Sequence, residues 1–407
     1  MVGMRIAVAG AGVFGATTAL ELRRRGHAVV LLDPGPLPRP EAASTDASKM
    51  VRLDYGADAT YVALMELALP RWRAWNEAWR RAGLPALFHE DGLLVLSRAP
   101  LAPGTFEGDS HALLTARGHA LQRLSPATLA ARHPAFAAGR FADGYFNPQG
   151  GWAQSGAVTA WLADAARAAG VDVRAGFAAS GLQQRGGRVE GLLARDAQGR
   201  IHELPAERVV LAAGAWSAAG LPELREDPPP VRLVAQPLVY LRPAHPERFA
   251  APELPPFTAD IARTGYYGFP ALPDGRVKIG NHGAGEAVPD ADVPRTAPPA
   301  AVERFREFLG AHLPGLADAP LVEARLCLYT DTPDGHFVID EHPRLPGLWI
   351  ASGGSGHAFK FAPVLGELVA DALERCADSP HAAALARCRW RTAAGARGDA
   401  ARAGPVA

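Results

Sequence analysis

The sequence predicts an α/β protein with two discontinuous domains. One is a Rossmann-like nucleotide-binding domain with an inserted antiparallel meander, and the other is an α+β domain with an antiparallel sheet. A strand, a glycine turn, a helix and a second strand follow one another near the start of the chain. Two apolar runs much later, in RVVLAAGAW (208–216) and GLWIAS (347–352), are typical of buried strands in the same parallel sheet. Three further strand patterns predict the antiparallel sheet, namely PLVYL, GYYGFP and RVKIG.

The first unit places a strand at 5–9, a tight turn at 10–15, a helix at 16–25 and a buried strand at 28–32. Between 170 and 213, three short strand patterns separated by RGGR and AQGR predict the meander. SPAT, at 125–128, offers a Ser N-cap with Pro at the first helical position. An amphipathic helix is expected from about 363 to 373.

Since strands of one sheet are spread over the start, middle and end of the chain, we expect interleaved domains. The nucleotide-binding domain takes 1–50, 147–218 and 324–390, and the second domain takes 51–146 and 219–323. The Ala/Arg/Gly-biased tail 391–407 is expected to be flexible, because it has little apolar surface to bury.

Composition excludes several classes of protein. The 407 residues include 42 Lys+Arg and 42 Asp+Glu, so no net field favours nucleic acid or an anionic membrane. The apolar start runs straight into a glycine motif and is expected to be a strand, not a signal peptide. No apolar run approaches the roughly 20 residues that span a bilayer. Three cysteines without paired spacing favour a reducing cytoplasm.

GAGVFG indicates a dinucleotide site. Gly10 tightens the turn, Gly12 admits a pyrophosphate, and Gly15 lets the helix pack closely on the strand. Val13 and Phe14 begin the helix whose free N–H groups face the phosphates, and Asp33 ends the second strand where a carboxylate can accept from a ribose diol. The alternative is that the glycines only shape a turn. FAD is favoured over NAD, because distant segments return to the same sheet around a long cofactor.

Several ordered motifs then carry a family resemblance over almost the whole chain: AVAGAGVFG, SKMVRLDYG, AAGAWS, YYGFP with VKIGNH, CLYTDTPDGHFVID and GGSGHAFKFAPVLGEL. The sequence resembles the FAD-dependent amine oxidases of the D-amino-acid oxidase superfamily. Within it, the chain is most similar to monomeric sarcosine oxidase, N-methyltryptophan oxidase, pipecolate oxidase and the fructosyl amino acid oxidases.

The resemblance implies a role for one cysteine and one lysine. Cys327 matches the cysteine that forms a thioether to the flavin, a reaction that needs a thiolate, and Arg325 favours that form if its side chain turns the same way. The alternative is a structural cysteine, which is our expectation for Cys376 and Cys388. Lys278 matches the lysine that promotes electron transfer to oxygen; from pattern alone it is a solvated or edge-strand lysine.

The resemblance also implies a substrate site. Arg52 and Lys360 match the cations that bind the substrate carboxylate. The residues expected to line the cavity over the flavin are Tyr267, His282 and Tyr329, although aromatic residues are often plain core. Those expected beside the flavin are Ser48, Lys49, Gly354, Ser355, Gly356 and Lys360. Lys49 departs from sarcosine oxidase, which has arginine there, so the substrate amine is left open.

The predicted function is oxidation of the secondary amine of an N-alkyl or cyclic amino acid to an imine, with O2 reduced to H2O2. A fructosyl amino acid oxidase, an FAD dehydrogenase with another electron acceptor and a non-catalytic flavin-binding protein remain alternatives. GGSGH lacks the last glycine of a hydrolase elbow, and no metal is expected at His336, Asp340, Glu341 and His342. We expect a cytoplasmic monomer that contacts a small amine and O2, without nucleic acid or membrane.

Overall fold

The structure is a computed structural model that describes residues 3–217, 220–391 and 402. It is mixed α/β, as predicted, and its elements alternate along the chain. The strands are β1 (Arg5–Ala9), β2 (Ala28–Asp33), β3 (Lys49–Val51), β4 (Phe88–His89), β5 (Leu93–Ser97), β6 (Gln122–Arg123), β7 (Asp143–Asn147), β8 (Gly151–Ala153), β9 (Asp172–Ala175), β10 (Ala178–Arg185), β11 (Arg188–Arg195), β12 (Ile201–Pro205), β13 (Arg208–Leu211), β14 (Arg232–Leu241), β15 (Phe257–Ala259), β16 (Tyr266–Gly268), β17 (Val277–Asn281), β18 (Glu286–Val288), β19 (Leu321–Asp331), β20 (Val338–Glu341) and β21 (Leu348–Ser352). The α-helices are α1 (Val13–Arg24), α2 (Ala59–Arg81), α3 (Phe106–Ala116), α4 (Pro126–Arg132), α5 (Ser155–Ala168), α6 (Ile261–Thr264), α7 (Pro299–His312), α8 (Ala362–Glu374) and α9 (Ala382–Leu385).

The nucleotide-binding sheet has the order β20-β21-β13-β1-β2-β9. Its neighbours pair in parallel except β20, which runs antiparallel to β21. Strands from the start, middle and end of the chain therefore share one sheet, as the apolar runs predict. The strands are buried because α1 packs beside them against α5 and α8. A Cβ at Gly366 of α8 would lie 2.3 Å from the Thr17 carbonyl oxygen, so glycine permits the close approach of α1 and α8.

Two helix starts show how the local sequence sets the boundaries. α1 begins at Val13, earlier than the predicted residue 16, because Gly12 itself is the N-cap of the helix. At α4 the prediction is confirmed: Ser125 accepts a hydrogen bond from the Thr128 N–H at 3.1 Å, and Pro126 takes the first helical position.

The predicted meander is present as the antiparallel sheet β10-β11-β12. The same region also supplies β9, which joins the edge of the parallel sheet beside β2. The meander therefore leaves the parallel sheet after β9 and returns to it at β13.

The second large sheet has the order β18-β14-β17-β16-β15-β5-β7-β6, with β19 also paired to β14. Its pairs are antiparallel apart from β15 with β5. Strand β14 is central to the site, because Tyr240 pairs with Lys278 of β17 on one side and with Glu323 of β19 on the other. The strand β17, which carries Lys278, and the strand β19, which carries Cys327, therefore pair with opposite edges of β14.

A small sheet, β3-β8-β4, joins the segment after β2 to this framework. Trp72 and Trp79 of α2 pack in the same hydrophobic core as α1 and α8, although α2 comes from a range that we predict to belong to the second domain. The domain boundaries stay a prediction.

Across the described ranges, no helix combines the length and apolarity needed to cross a bilayer. The predicted flexible tail lies outside the described residues, apart from Arg391 and Arg402.

Candidate active site

The glycine turn has the close contacts that a dinucleotide turn requires. Gly10 has φ +103°, and a Cβ there would lie 2.5 Å from the Ala212 carbonyl oxygen. A Cβ at Gly15 would lie 1.8 Å from the Gly10 carbonyl oxygen. Asp33 holds the turn from the side, since its Oδ2 accepts from the Ala11 N–H at 2.9 Å and its Oδ1 from the Gly35 N–H at 3.0 Å. The shape of the turn is therefore set by contacts within the protein.

A cavity of about 270 Å³, here the large cavity, runs from this turn to the glycine cluster after β21. Its wall contains eight of the predicted cofactor residues: Gly10, Gly12, Val13, Phe14, Asp33, Lys49, Gly354 and Gly356. Five other predicted cofactor residues are not on that wall: Gly15, Ser48, Cys327, Ser355 and Lys360. Gly15 acts through packing, and Ser355 bonds the protein, donating from its N–H to the Thr330 carbonyl at 3.0 Å.

A second cavity of about 60 Å³, here the small cavity, adjoins the large one. Four residues line both: Lys49, Tyr329, Gly356 and Phe359. All seven residues predicted to be catalytic line the small cavity: Lys49, Arg52, Tyr267, Lys278, His282, Tyr329 and Lys360. Side chains from β3, β16, β17, β19 and the segment before α8 therefore meet at one point.

Arg52 and Lys360 are brought together by Tyr55. Lys360 Nζ donates to the Tyr55 hydroxyl at 3.0 Å and to the His357 carbonyl at 2.9 Å. The guanidinium carbon of Arg52 lies 4.7 Å, and Lys360 Nζ 5.2 Å, from the Tyr55 ring centroid. The two cations are almost fully buried. Two buried positive charges on one aromatic ring give this part of the cavity the chemistry to attract an anionic group.

Lys278 is fully buried, not solvated. Its Nζ donates to Asp46 Oδ2 at 2.7 Å and to the Ser48 carbonyl at 2.7 Å. Burial lowers the pKa of Lys278 to about 8, while the charge of Asp46 opposes that shift. Burial alone would raise the pKa of Asp46, but the charges of Lys278, Lys49 and Arg325 bring it well below its usual range. Lysine and aspartate are therefore a charged pair at neutral pH.

Aromatic side chains form the remaining wall. The His282 and Tyr329 rings lie 5.7 Å apart, and Tyr267 and Phe269 pack edge to face at 5.8 Å. Burial raises the pKa of Tyr329 well above its usual value, and the neighbouring Tyr267 raises it further. Burial likewise raises the pKa of Tyr267. Burial therefore favours the neutral form of both phenols.

Cys327 lines neither cavity, but it lies beside both. Its Sγ is 3.8 Å from Lys49 Nζ, and Lys49 lines both cavities. Arg325 places its Nη2 2.5 Å from Asp46 Oδ1, so its principal partner is Asp46. The cation in contact with the sulfur is thus Lys49, a pairing that the sequence reasoning did not include.

Three further residues of the site were missed by sequence reasoning. Asp46 bonds Lys278, Tyr55 bonds Lys360, and Ser44 Oγ accepts from the Val13 N–H at 3.3 Å on the wall of the large cavity. Two of them, Ser44 and Asp46, lie in EAASTDAS, directly before Lys49, but that run does not show which residues they contact. Tyr55 lies in LDYG, which looks like an ordinary apolar turn.

The donor set fits FAD. The large cavity is lined by the glycine turn, which can bind phosphates, and by Gly354 and Gly356. Gly356 and Tyr329 line both cavities. A Cβ at Gly356 would lie 2.1 Å from the Tyr329 ring, so only glycine fits at this position. Ser48 Oγ is buried and has no hydrogen-bond partner among the described residues. Such a group needs a ligand or water. In the described part of the chain, no cluster of three His, Cys, Asp or Glu side chains is arranged to hold a metal.

Comparison with known proteins agrees with this geometry. Residues 5–372 match the family model described as FAD dependent oxidoreductase (DAO). The chain is 30% identical over 376 residues to N-methyl-L-tryptophan oxidase of Salmonella arizonae (strain ATCC BAA-731 / CDC346-86 / RSK2980), covering 90% of this chain and 94% of that protein. It is 36% identical over 174 residues to monomeric sarcosine oxidase of Bacillus sp. (strain NS-129), covering 40% of this chain and 43% of that one.

A solved structure extends the likeness to the fold. The fructosyl amine: oxygen oxidoreductase (Amadoriase I) of Aspergillus fumigatus superposes with a TM-score of 0.77 at 27% identity. The match covers 96% of this chain and 90% of that one. The predicted family, the two-domain flavoprotein fold and the FAD cofactor are thereby confirmed. The chain belongs to the DAO family of FAD-dependent oxidoreductases and is an FAD-dependent enzyme.

Proposed function

We propose that the protein oxidises the secondary amine of an N-alkyl or cyclic amino acid to an imine and reduces O2 to H2O2. The main support for this proposal is the small cavity. Arg52, Lys360 and Lys278 all line it, beside a wall that it shares with the large cavity. The relatives named sarcosine oxidase, N-methyl-L-tryptophan oxidase and fructosyl amine: oxygen oxidoreductase support amine oxidation as the reaction.

Arg52 and Lys360 hold the substrate carboxylate. Both cations are buried, and no Asp or Glu is among the residues that line the small cavity in the described part of the chain. A substrate carboxylate there gains charge-assisted hydrogen bonds in a site that excludes water. Tyr55 contacts both Arg52 and Lys360 and fixes their relative positions, so the substrate binds in one orientation.

The oxidation step needs positioning more than acid–base chemistry. FAD held by the residues that line the large cavity would supply a two-electron acceptor for the carbon next to the amine nitrogen and a two-electron donor for O2. Tyr267, Tyr329 and Phe359 wall the cavity and exclude water from the amine. The amine reacts in its neutral form and the imine hydrolyses after release, so no general base is required of the protein.

Lys278 supplies the charge for the oxygen step. Its ammonium lines the small cavity and has three N–H donors, two of which bond Asp46 and the Ser48 carbonyl. Its Nζ also lies 4.9 Å from the centroid of the Phe269 ring, which lines the same cavity. A fixed positive charge stabilises the superoxide-like charge that develops as O2 accepts its first electron.

We also propose that Cys327 carries FAD covalently. Its sulfur lies 3.8 Å from the Lys49 ammonium, on a strand beside the cavities, and thioether formation joins that sulfur to the flavin. Cys376 and Cys388 lie far from both cavity walls, in the C-terminal helical segment, and are structural.

A fructosyl amino acid is the second candidate substrate. The specific observation is Lys49, which in sequence resembles the fructosyl amino acid oxidases, together with the likeness to Amadoriase I. The volume of the small cavity, about 60 Å³, favours a compact N-methyl or cyclic amino acid over a glycated one.

A monomer in a reducing cytoplasm is the proposed state of the enzyme. The cytoplasmic location is supported by the three cysteines, all of which are free. Its proposed partners are a small amine and O2.

The carboxylate site is tested by pairing each substrate with its amide. Arg52→Gln and Lys360→Met should each raise KM for the N-methyl or cyclic amino acid by about 10- to 100-fold, since each removes a charge-assisted contact. KM for the corresponding amide, which has no charge to lose, should change by less than about 3-fold. Steady-state kinetics on both substrates measures the difference. Equal losses for acid and amide would overturn the carboxylate role.

A further inference from the structure

We propose that Asp46 is the positioning residue for the oxygen step: it holds Lys278 in its charged form and fixes where that charge lies. The inference rests on the proposed role of Lys278 and deepens it. Asp46 is in the loop before β3 and, although buried, does not line either cavity. Its effect on the reaction is therefore exerted through Lys278.

The contacts of Asp46 show why its effect is exerted at Lys278. Its Oδ2 accepts from Lys278 Nζ at 2.7 Å, and the Lys278 side chain is itself fully buried. A buried ammonium without a counter-charge loses its proton, because water no longer solvates the charged form. The Ser48 carbonyl, the other described partner of Lys278, is uncharged. Asp46 is therefore the group that makes the cation stable at this depth.

Asp46 is itself held by a surrounding set of donors. Arg325 Nη2 lies 2.5 Å from Oδ1, the Tyr240 hydroxyl donates to the same oxygen, and the backbone N–H of Ala47 donates to it at 2.7 Å. Lys49 Nζ lies 3.8 Å from Oδ2. A carboxylate fixed on this many sides holds the lysine in one place, which a mobile counter-ion would not do.

The charges that face Lys278 come from three elements. Asp46, in the loop before β3, is negative; Lys49 of β3 and Arg325 of β19 are positive. The neighbouring Tyr240 of β14 and Tyr267 of β16 are neutral, since burial raises their pKa values. His282, which follows β17, is on the same cavity wall. Without Asp46, three cations would face one another with no anion between them.

This arrangement predicts opposite effects from two substitutions. Asp46→Asn removes the negative charge and should move the pKa of Lys278 below its present value of about 8. Arg325→Gln removes a competing positive charge and should move that pKa upward. Loss of packing would not move the pKa of Lys278 in opposite directions in the two variants. Comparing the variants therefore distinguishes an electrostatic effect from a general loss of structure.

The experiment is stopped-flow reoxidation of the substrate-reduced holoenzyme by O2 from pH 6 to 10. In the wild type the rate should fall as the pH rises through about 8, because deprotonated Lys278 no longer stabilises superoxide. Asp46→Asn should shift that inflection to lower pH by about one unit or more, and reoxidation at pH 8 should slow by about 10-fold or more. Asp46→Glu should restore most of the rate, and Arg325→Gln should move the inflection upward.

Three controls accompany the reoxidation experiment. Asp143→Asn removes a carboxylate of similar burial that pairs with Arg123 and lines neither cavity, so the inflection should stay in place. Tyr240→Phe keeps the charge of Asp46 and removes one hydrogen bond, so it should shift the inflection much less than Asp46→Asn. The pH titration of the flavin absorption spectrum supplies a readout other than turnover, and the transition due to Lys278 should vanish in Lys278→Met.

The outcomes distinguish the proposed oxygen role of Lys278 from the proposed positioning role of Asp46. If Lys278→Met reoxidises at the wild-type rate, the proposed oxygen role of Lys278 is wrong. If Lys278→Met is slow but Asp46→Asn leaves both the rate inflection and the spectral transition unmoved, the role of Asp46 is wrong. Should Asp46→Asn fail to fold with flavin bound, Arg325→Gln decides the matter alone, and an unmoved or downward inflection overturns the proposal.

Discussion

At the scale of the residue, the chemistry of this site rests on cations that are costly to bury. Lys278, Arg52 and Lys360 all lie within the protein, yet each is placed where an anion or a developing negative charge is expected. A buried cation is destabilising unless it is paired or hydrogen-bonded. Asp46 meets that need at Lys278, and Tyr55 with the His357 carbonyl meets it at Lys360.

Cys327 gives a direct prediction at this scale. If its sulfur is bonded to the flavin, acid precipitation of the native protein should leave the yellow colour in the pellet. Cys327→Ala should release the flavin into the supernatant, while Cys388→Ala, a buried cysteine outside both cavity walls, should not.

Lys49 should affect the rate of attachment. Its ammonium is the cation at 3.8 Å from the sulfur, so Lys49→Met should slow incorporation of covalent flavin into the apoprotein. All of the flavin in the supernatant of the native protein would contradict covalent attachment through Cys327.

At the scale of the element, the dinucleotide turn depends on glycine for reasons of space. A Cβ at Gly15 would be 1.8 Å from the Gly10 carbonyl oxygen, so either α1 or β1 must move to admit it. Gly15→Ala should therefore reduce bound flavin to below about a tenth of the wild-type level, because contacts this short cannot relax without moving the turn.

A matched control is available in α7. Gly310→Ala places a Cβ that meets no atom within 4 Å and should stabilise the helix by about 0.5–1 kcal/mol. The ratio of flavin to protein absorbance measures the first effect, and thermal unfolding measures the second. Full flavin content in Gly15→Ala would show that the turn is looser than its geometry implies.

Helices, strands and turns are predictable from sequence where neighbouring residues determine them. The first βαβ unit, the N-cap of α4 and the meander between RGGR and AQGR all follow from short patterns. The parallel pairing of β15 with β5 does not, nor does the long pairing of β19 with β14. These pairings join strands more than 80 residues apart, and their register is set by packing instead of by any turn.

At the scale of the whole molecule, the site is a meeting of segments distant in sequence. The hydrogen bond from Lys278 to Asp46 joins residues 232 positions apart, and that from Lys360 to Tyr55 joins residues 305 apart. The seven residues that the family motifs predict to be catalytic all line the small cavity, and their catalytic roles stay a prediction. Asp46 and Tyr55 were not found, because their importance lies in what they touch and no local pattern records a long-range contact.

The two cavities explain how one fold serves both binding and oxidation. The large cavity extends between the glycine turn and the glycine cluster, and the small one opens on the same Tyr329 and Phe359 surface. The second large sheet supplies Lys278, Tyr267 and Tyr329, and the segments around β3 and before α8 supply Arg52 and Lys360. The residues predicted to be catalytic therefore come together from both the second large sheet and the segments around β3 and before α8.

The most direct test of this account is anaerobic bleaching of the flavin band near about 450 nm. The panel contains sarcosine, other N-methyl amino acids, pipecolate, proline and glycated amino acids. We expect rapid bleaching by a compact secondary amine that carries a carboxylate, slower or no bleaching by the glycated compounds, and slower bleaching by the corresponding amides at equal concentration. A holoenzyme that no amine on the panel reduces would contradict the proposed function.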